Sequence, residues 1–411
     1  MKNILEPFGL AVPNILVPRA VSPSNLTAWA VVACDQYTQD RAYWKKVEEE
    51  RKGKPSTLSL IFPEVFLEDP GKKERIASIH AAMREYLGGN VFAPAMRGMM
   101  YIERVTEYGR KRAGLVTAID LDGYHWDPAK KAKIRATEAT VPARLPPRME
   151  IRRGAPLEIP HVMLLVNDPE GLLVEGTGKI AKTKPPVYDT DLMLGAGHVT
   201  GWLAADPEAF LEPALKKIAA ANTRDDGLFM FASGDGNHSL ASAKGVWDEY
   251  RAAHPGEDLT SHPARYALAE IVNIYDRGLT FEPIHRVIFG VDPADLRKTL
   301  ETQFPGHIHA DGNMLSTTLP GLGVVKLQPA VDSYLESHRG TSIDYIHGEE
   351  ELRRLAAGAN TAGFLMPPID KGSFFETIAA HGTLPRKTFS LGEASEKRFY
   401  FECRKLFGAE K

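Results

Sequence analysis

Gly227-Leu-Phe-Met-Phe-Ala-Ser-Gly-Asp-Gly-Asn-His-Ser-Leu-Ala-Ser-Ala-Lys-Gly-Val-Trp247 joins an apolar run to a small-residue turn and then to helix-forming sequence. The pattern predicts an interior strand over Gly227–Ala232, a G-D-G-N-H-S turn, and a helix beginning near Asn237. Gly234 and Gly236 would let the backbone approach a ligand closely. The helix start would offer unpaired N–H groups and about half a positive charge to a phosphate. Asp235 could hold magnesium beside that phosphate, and His238 could donate to a phosphoryl oxygen. Asn237 and Ser239 complete the candidate phosphate cradle. The same residues could equally build a turn and cap a helix with no ligand at all. The run matches neither the Walker pattern nor G-x-G-x-x-G.

Outward from this turn the chain reads as short alternating elements. Asp40 to Lys52 and Lys72 to Leu87 read as helices, Thr57 to Phe62 as a strand, and 98–106 with 113–120 as a hairpin around a polar turn. Lys130 to Pro160 is rich in Arg and Pro and reads as loop. His161 to Asn167 is a buried-type strand, Pro207 to Ala221 an amphipathic helix, and Pro293 to Phe304 a helix. The remainder reads as short strands and turns, ending in a basic-aromatic strand over Glu396 to Leu406. The expected class is α/β (α+β), with mixed sheets and peripheral helices. Three regions are expected, 1–130, 131–290 and 291–411, the central one carrying most motifs; they could form one compact unit.

Composition narrows the function. The 411 residues carry a formal charge of −3, with 43% apolar and 25% charged residues, an ordinary globular balance able to bury a core without staples. Lys and Arg are scattered, which argues against nucleic acid as a partner. No window approaches eighteen consecutive apolar residues, and Glu6, Pro7 and Pro13 interrupt the start before a signal-type core can form. Two cysteines, Cys34 and Cys403, lie outside any C-x-x-C spacing, which fits a reducing cytoplasm and argues against a thiolate metal site.

Three further segments could carry chemistry. In Leu279-Thr-Phe-Glu-Pro-Ile-His-Arg-Val-Ile288, Arg286 could clamp a phosphate or carboxylate with His285 beside it. In Arg135-Ala-Thr-Glu-Ala-Thr140, Glu138 is a candidate general base. In Pro385-Arg-Lys-Thr-Phe389, Lys387 could meet a phosphate. Taken singly, each also reads as an ordinary structural or solvated segment.

The order of these segments resembles the DUF1015 family of bacterial and archaeal proteins, whose members carry an HExT-like segment, a DGHHR turn, a PxHR segment and a terminal PxKS/T. The resemblance begins at Val32-Ala-Cys-Asp35, runs through Gly114–Leu121, Thr137–Thr140, His198 and Trp202, and ends at the PRKT segment. Two departures stand out: Asn237, His238 and Ser239 replace the two histidines and arginine, and Thr137 replaces the HExT histidine. The turn is in turn similar to that of the ParB/sulfiredoxin superfamily, which contains nucleotide hydrolases, a phosphoryl-transferring sulfiredoxin and free-serine kinases, so a ParB/sulfiredoxin-like element is expected around it. The resemblance implies a cytoplasmic, nucleotide-dependent enzyme that phosphorylates a small hydroxyl metabolite such as serine. Magnesium and ATP, ADP or CTP would be its cofactors. Glu138, Asp235, His238, His285 and Arg286 are expected to line one cleft, with Gly234, Gly236, Asn237, Ser239 and Lys387 around the phosphates. The alternatives are a nucleotide-binding regulatory protein without turnover, and a nucleotide hydrolase or nuclease. The sequence leaves the acceptor and the oligomeric state open.

Overall fold

The computed structural model describes residues 3–19, 23–320 and 322–408. The chain forms two units: Met1–Ala136 with Thr140–Leu279 and Glu393–Lys411, and Thr137–Ala139 with Thr280–Gly392. Both are mixed α/β, with sheets flanked by helices.

The first unit is built on a ten-stranded sheet. Edge to edge, its strands run Tyr188–Asp191, Gly197–Ala204, Met99–Thr106, Lys111–Asp120, Tyr266–Asn273, Met163–Val166, Phe231–Asp235, Ile134–Arg135 and Tyr124–His125, with Leu10–Ala11 added beside Lys111–Asp120. The expected hairpin is the antiparallel pair Met99–Thr106 and Lys111–Asp120, in register from Met100 opposite Val116. Phe231–Asp235 is interior, antiparallel to Met163–Val166 and parallel to Ile134–Arg135. It is shorter than the apolar run and lies further along it. Phe229 and Met230 are fully buried, but Phe229 donates its N–H to Asn222 O and Met230 to Lys133 O, so they pack as core before the strand begins. Gly227–Leu228 pairs instead with Thr223–Arg224.

Helix Asn237–Ala253 follows directly and buries Leu240, Ala243, Lys244 and Trp247, one face at helical spacing. Against it lies helix Leu145–Arg152, inside the segment expected to be loop. Pro146 and Pro147 sit in its first turn, where the missing N–H groups would have no helical acceptor. Thr57–Leu60 is a single 3₁₀ turn rather than a strand, because the Ser56 hydroxyl accepts the Leu58 N–H and closes it. The C-terminal segment is not one strand over 396–406. After a 3₁₀ turn at Ala394–Glu396 it threads the unit as extended chain: Tyr400 N–H donates to Val31 O, and Leu16 and Cys403 exchange backbone bonds, each at 2.8 Å. Both cysteines are free.

The second unit has a six-stranded sheet: Ile308–Asp311, Met314–Thr317, Thr361–Leu365, Phe281–Phe289 and Ser342–His347, with Phe389–Leu391 paired to the start of Phe281–Phe289. Besides the expected Pro293–Gln303 helix it contains three the sequence reading missed: Val324–Ser337, Glu349–Ala356 and Lys371–His381. Pro329 lies inside the first and hid its period. Among the described residues no helix is long and apolar enough to cross a membrane.

Candidate functional site

The strand that enters the turn carries a bulge. Its register against Met163–Val166 shifts between Ser233 and Asp235, and a bulge re-aims the residue beyond it. Asp235 Oδ1 accepts the Gly236 N–H at 2.9 Å, and Oδ2 lies 3.5 Å from Lys397 Nζ. Gly236 is required twice over. Its φ is +77°, and a Cβ there would stand 3.1 Å from Val162 Cα and 3.3 Å from His161 Cδ2. It is the N-cap of the helix, with no side-chain cap. Among the described residues the backbone N–H groups of Asn237 and Ser239 meet no protein acceptor, as expected of a first turn left open. Asn237 Oδ1 is buried without a partner. His238 accepts the Val141 N–H at Nε2, 3.3 Å away, so this nitrogen already serves the loop before helix Leu145–Arg152.

The residue beside the turn that sequence reasoning missed is His161. Its Nε2 lies 2.9 Å from Ser239 Oγ and 3.6 Å from Asp35 Oδ2, and its Nδ1 lies 2.6 Å from the Tyr400 hydroxyl. Tyr400 also accepts the Cys34 N–H at 3.1 Å. Directing the tyrosine proton at Nδ1 then satisfies both groups and assigns the neutral imidazole its proton on Nε2, facing Ser239 and Asp35. Burial alone would raise the Asp35 carboxyl, but His161, the Gln36 hydrogen bond and the Lys397 charge together hold it below the usual carboxylate range. The Cys34 thiol is pushed far up by burial and by Asp35 and Glu64, so it is no thiolate nucleophile at neutral pH.

Cys34, His161, Ser239 and Tyr400 line a cavity of about 150 Å³ among many apolar side chains. Glu64 and Arg148, also in its wall, are ion-paired to each other.

Gly234 stays in the first unit, at the bulge of strand Phe231–Asp235, whereas Glu138, His285, Arg286 and Lys387 belong to the second unit. Glu138 bridges to Leu384, whose N–H donates to Thr137 O at 2.7 Å, and Pro283 pairs with Phe389. Thr137–Ala139 and the PIHR and PRKT segments thus converge within that unit. Lys387 takes a positive φ of 56° in the PRKT turn. Arg286 is 2% exposed; Nε donates to Gln328 at 3.0 Å, Nη1 donates to Ile284 O, and the guanidinium lies over the Tyr345 ring. Burial lowers it to about 10, opposed by the charges of Tyr345, Asp332 and Glu138, so it remains a cation at neutral pH.

His285 is buried and accepts the Met366 N–H at Nδ1, 3.1 Å away. Burial holds it below the ordinary imidazole value of about 6.5. The unfolded chain therefore takes up the proton first, and stability present above pH 6.5 is lost as the pH falls below it, by at most about 1.4 kcal/mol per pH unit. The melting midpoint of the second unit is expected to fall on acidification from pH 7.5 to 5.5. His285→Gln, which keeps an acceptor for Met366, is expected to flatten that fall; parallel curves for the two proteins would contradict it.

Magnesium does not find a ready site. Among the described residues no group of three or more His, Cys, Asp or Glu side chains could hold a metal ion. The Asp235 carboxylate faces an ammonium and a backbone N–H, and a single carboxylate so engaged is not a magnesium cage.

Comparison with solved structures finds a free serine kinase in complex with AMP (12% identity, 71% of this chain and 92% of that one, TM-score 0.35). It also finds a point mutant of a free serine kinase with ADP (12%, 71% and 92%, 0.36), and a conserved hypothetical protein from Pyrococcus furiosus (12%, 70% and 90%, 0.32). No curated protein matches the chain. The model of a family described as a protein of unknown function, DUF1015, matches residues 16–371. That match spans most of the sequence, from Leu16 through Asp35 and the glycine turn to the PIHR strand and beyond, and the chain belongs to the DUF1015 family.

Proposed function

We propose that the chain transfers a phosphoryl group from a nucleotide to a small hydroxyl compound, with the glycine turn as the phosphate site and the adjoining cavity as the acceptor site. One observation carries the reading: the open N–H groups of Asn237 and Ser239 begin the same helix turn whose Ser239 hydroxyl meets His161 and, beyond it, Asp35. Phosphoryl transfer needs positioning and charge more than covalent chemistry. The helix terminus and the Lys397 ammonium supply the positive charge, Asn237 and Ser239 orient the phosphates, the His161 Nε2–H donates toward the reacting centre, and Asp35 accepts the proton of the acceptor hydroxyl. No step is assigned to Glu138, His285, Arg286 or Lys387.

The test is a thermal-shift screen of AMP, ADP, ATP and CTP, each with and without magnesium, followed by phosphorus NMR of a metabolite mixture. A nucleotide at 100 times its dissociation constant stabilises by about 2.7 kcal/mol, which such a screen resolves. No shift with any nucleotide would overturn the proposal. A shift without phosphoryl transfer would favour a second reading, a nucleotide-binding protein without turnover, to which the prior engagement of Asp235 by Lys397 also points.

Asp235→Asn tells the lysine from a metal. Asn still accepts the Gly236 N–H, and losing a part-buried pair at 3.5 Å is expected to change stability by about 1 kcal/mol or less. With Lys397 no longer neutralised, magnesium-free nucleotide binding is expected to tighten about 3- to 10-fold. A tenfold weakening confined to magnesium-containing buffer would make Asp235 a metal ligand instead.

A further inference from the structure

The cavity beside Ser239 has walls that suit a particular class of acceptor. Leu60, Phe62, Met83, Ile151, Leu157 and Leu268 are among the apolar side chains that line it. Its charged wall groups are consumed by one another. Glu64 pairs with Arg148, and Glu158 pairs with Arg152 and Arg404 and also accepts the Leu268 N–H at 3.0 Å. The Ser242 hydroxyl donates to His238 O at 2.7 Å, and the Tyr400 oxygen already meets Cys34 and His161. Apart from the Arg152 Nε, which is buried without a partner, the capacity these contacts leave is that of the Ser239 hydroxyl, whose oxygen faces the His161 Nε2–H at 2.9 Å. A zwitterionic amino acid placed here would bury an ammonium with no free carboxylate to meet it, because Glu64 and Glu158 are already paired, which is strongly unfavourable. A volume of about 150 Å³ has room for roughly ten waters, enough for a molecule of a few carbons.

We infer that this cavity takes an acceptor alcohol with a short saturated chain, its hydroxyl at Ser239 and His161 and its chain among the leucines. The inference rests on the phosphoryl-transfer reading and names its substrate class. In the step, a bond forms between the alcohol oxygen and the terminal phosphorus as the bond from that phosphorus to its bridging oxygen breaks. The bridging electron pair leaves with the shortened nucleotide, and the alcohol proton passes to the Asp35 carboxylate.

The experiment titrates straight-chain 1-alkanols, from ethanol to octanol, into the full-length protein by calorimetry. Each buried methylene contributes about 0.8 kcal/mol, so the dissociation constant is expected to fall about 3- to 4-fold per carbon until the cavity is full, then level off. Ala243→Phe, which fills the wall of the cavity, is expected to weaken hexanol at least tenfold, and its melting curve reports whether it folds. Leu268→Ala enlarges the cavity and is expected to move the plateau one or two carbons longer, which keeps the test decisive if Ala243→Phe does not fold. A flat series, or a plateau unmoved by Leu268→Ala, overturns the assignment. ADP titrated alone separates the two claims: ADP stabilisation with a flat alkanol series removes the acceptor class and leaves the nucleotide site. A rising series with no stabilisation by any nucleotide overturns phosphoryl transfer, and with it the acceptor role of the cavity.

Discussion

Arg398→Met is expected to destabilise the first unit by about 3–5 kcal/mol, the largest effect of any single substitution considered for this chain. Arg398 is 3% exposed and lies between two carboxylates that are each 1% exposed, Glu270 and Glu402; its Nε also donates to Pro160 O at 3.0 Å. Burial disfavours its charge, but Glu402 and Glu270 outweigh that and raise its pKa. Methionine would fill much of the space and leave Glu402 with the Tyr188 hydroxyl as its remaining partner from this group. Glu270 fares better, because Arg112 stands 3.7 Å from its other oxygen. The cost therefore falls mainly on Glu402, and the double variant Arg398→Met with Glu402→Gln is expected to recover more than half of the loss. Urea denaturation followed by tryptophan fluorescence measures both. A loss below about 1 kcal/mol for the single variant would mean that water reaches the network.

That network marks the limit of what the sequence shows. The hairpin at 99–120 is legible because β-branched and apolar residues flank a polar turn, and helix Asn237–Ala253 because small residues and an apolar face announce it. His161 carried no such signal. It lies 78 residues from Ser239 and 239 from Tyr400, and only the sheet and the returning C-terminal segment bring the three together. The run Glu396–Leu406 has strand composition yet is mostly extended chain with a two-residue strand at Arg404–Lys405, because its backbone bonds are spread over Val31, Ala33, Leu16 and Leu157–Glu158 and its charges are buried among Glu158 and Glu270. Helix Val324–Ser337 was masked by Pro329, and helix Leu145–Arg152 by two prolines that its first turn tolerates. Asp35 carried only its family resemblance in the sequence, and the fold brings its carboxylate to 3.6 Å from His161.

Gly236→Ala is expected to abolish most nucleotide binding, by tenfold or more, at a stability cost above the roughly 1–2 kcal/mol of the left-handed conformation alone. Two effects add. An L-residue in the left-handed region costs roughly 1–2 kcal/mol, and Gly236 has φ +77°. The new Cβ would also stand 3.1 Å from Val162 Cα, a backbone atom of the extended segment that His161 shares, so relief requires moving the turn away from His161 and opening the 2.9 Å contact to Ser239. The conformational part has its own control. Gly256 has φ +86°, and a Cβ added there would meet nothing within 4 Å, so Gly256→Ala meets the left-handed penalty alone and leaves the helix start untouched. Calorimetric titration of ADP into the two variants, with melting curves for both, separates strain from site. A stability loss in both variants, larger in Gly236→Ala, with ADP affinity reduced only in Gly236→Ala, is expected if the turn holds phosphate; ADP affinity preserved in Gly236→Ala would place the nucleotide elsewhere and return Gly236 to a purely structural role.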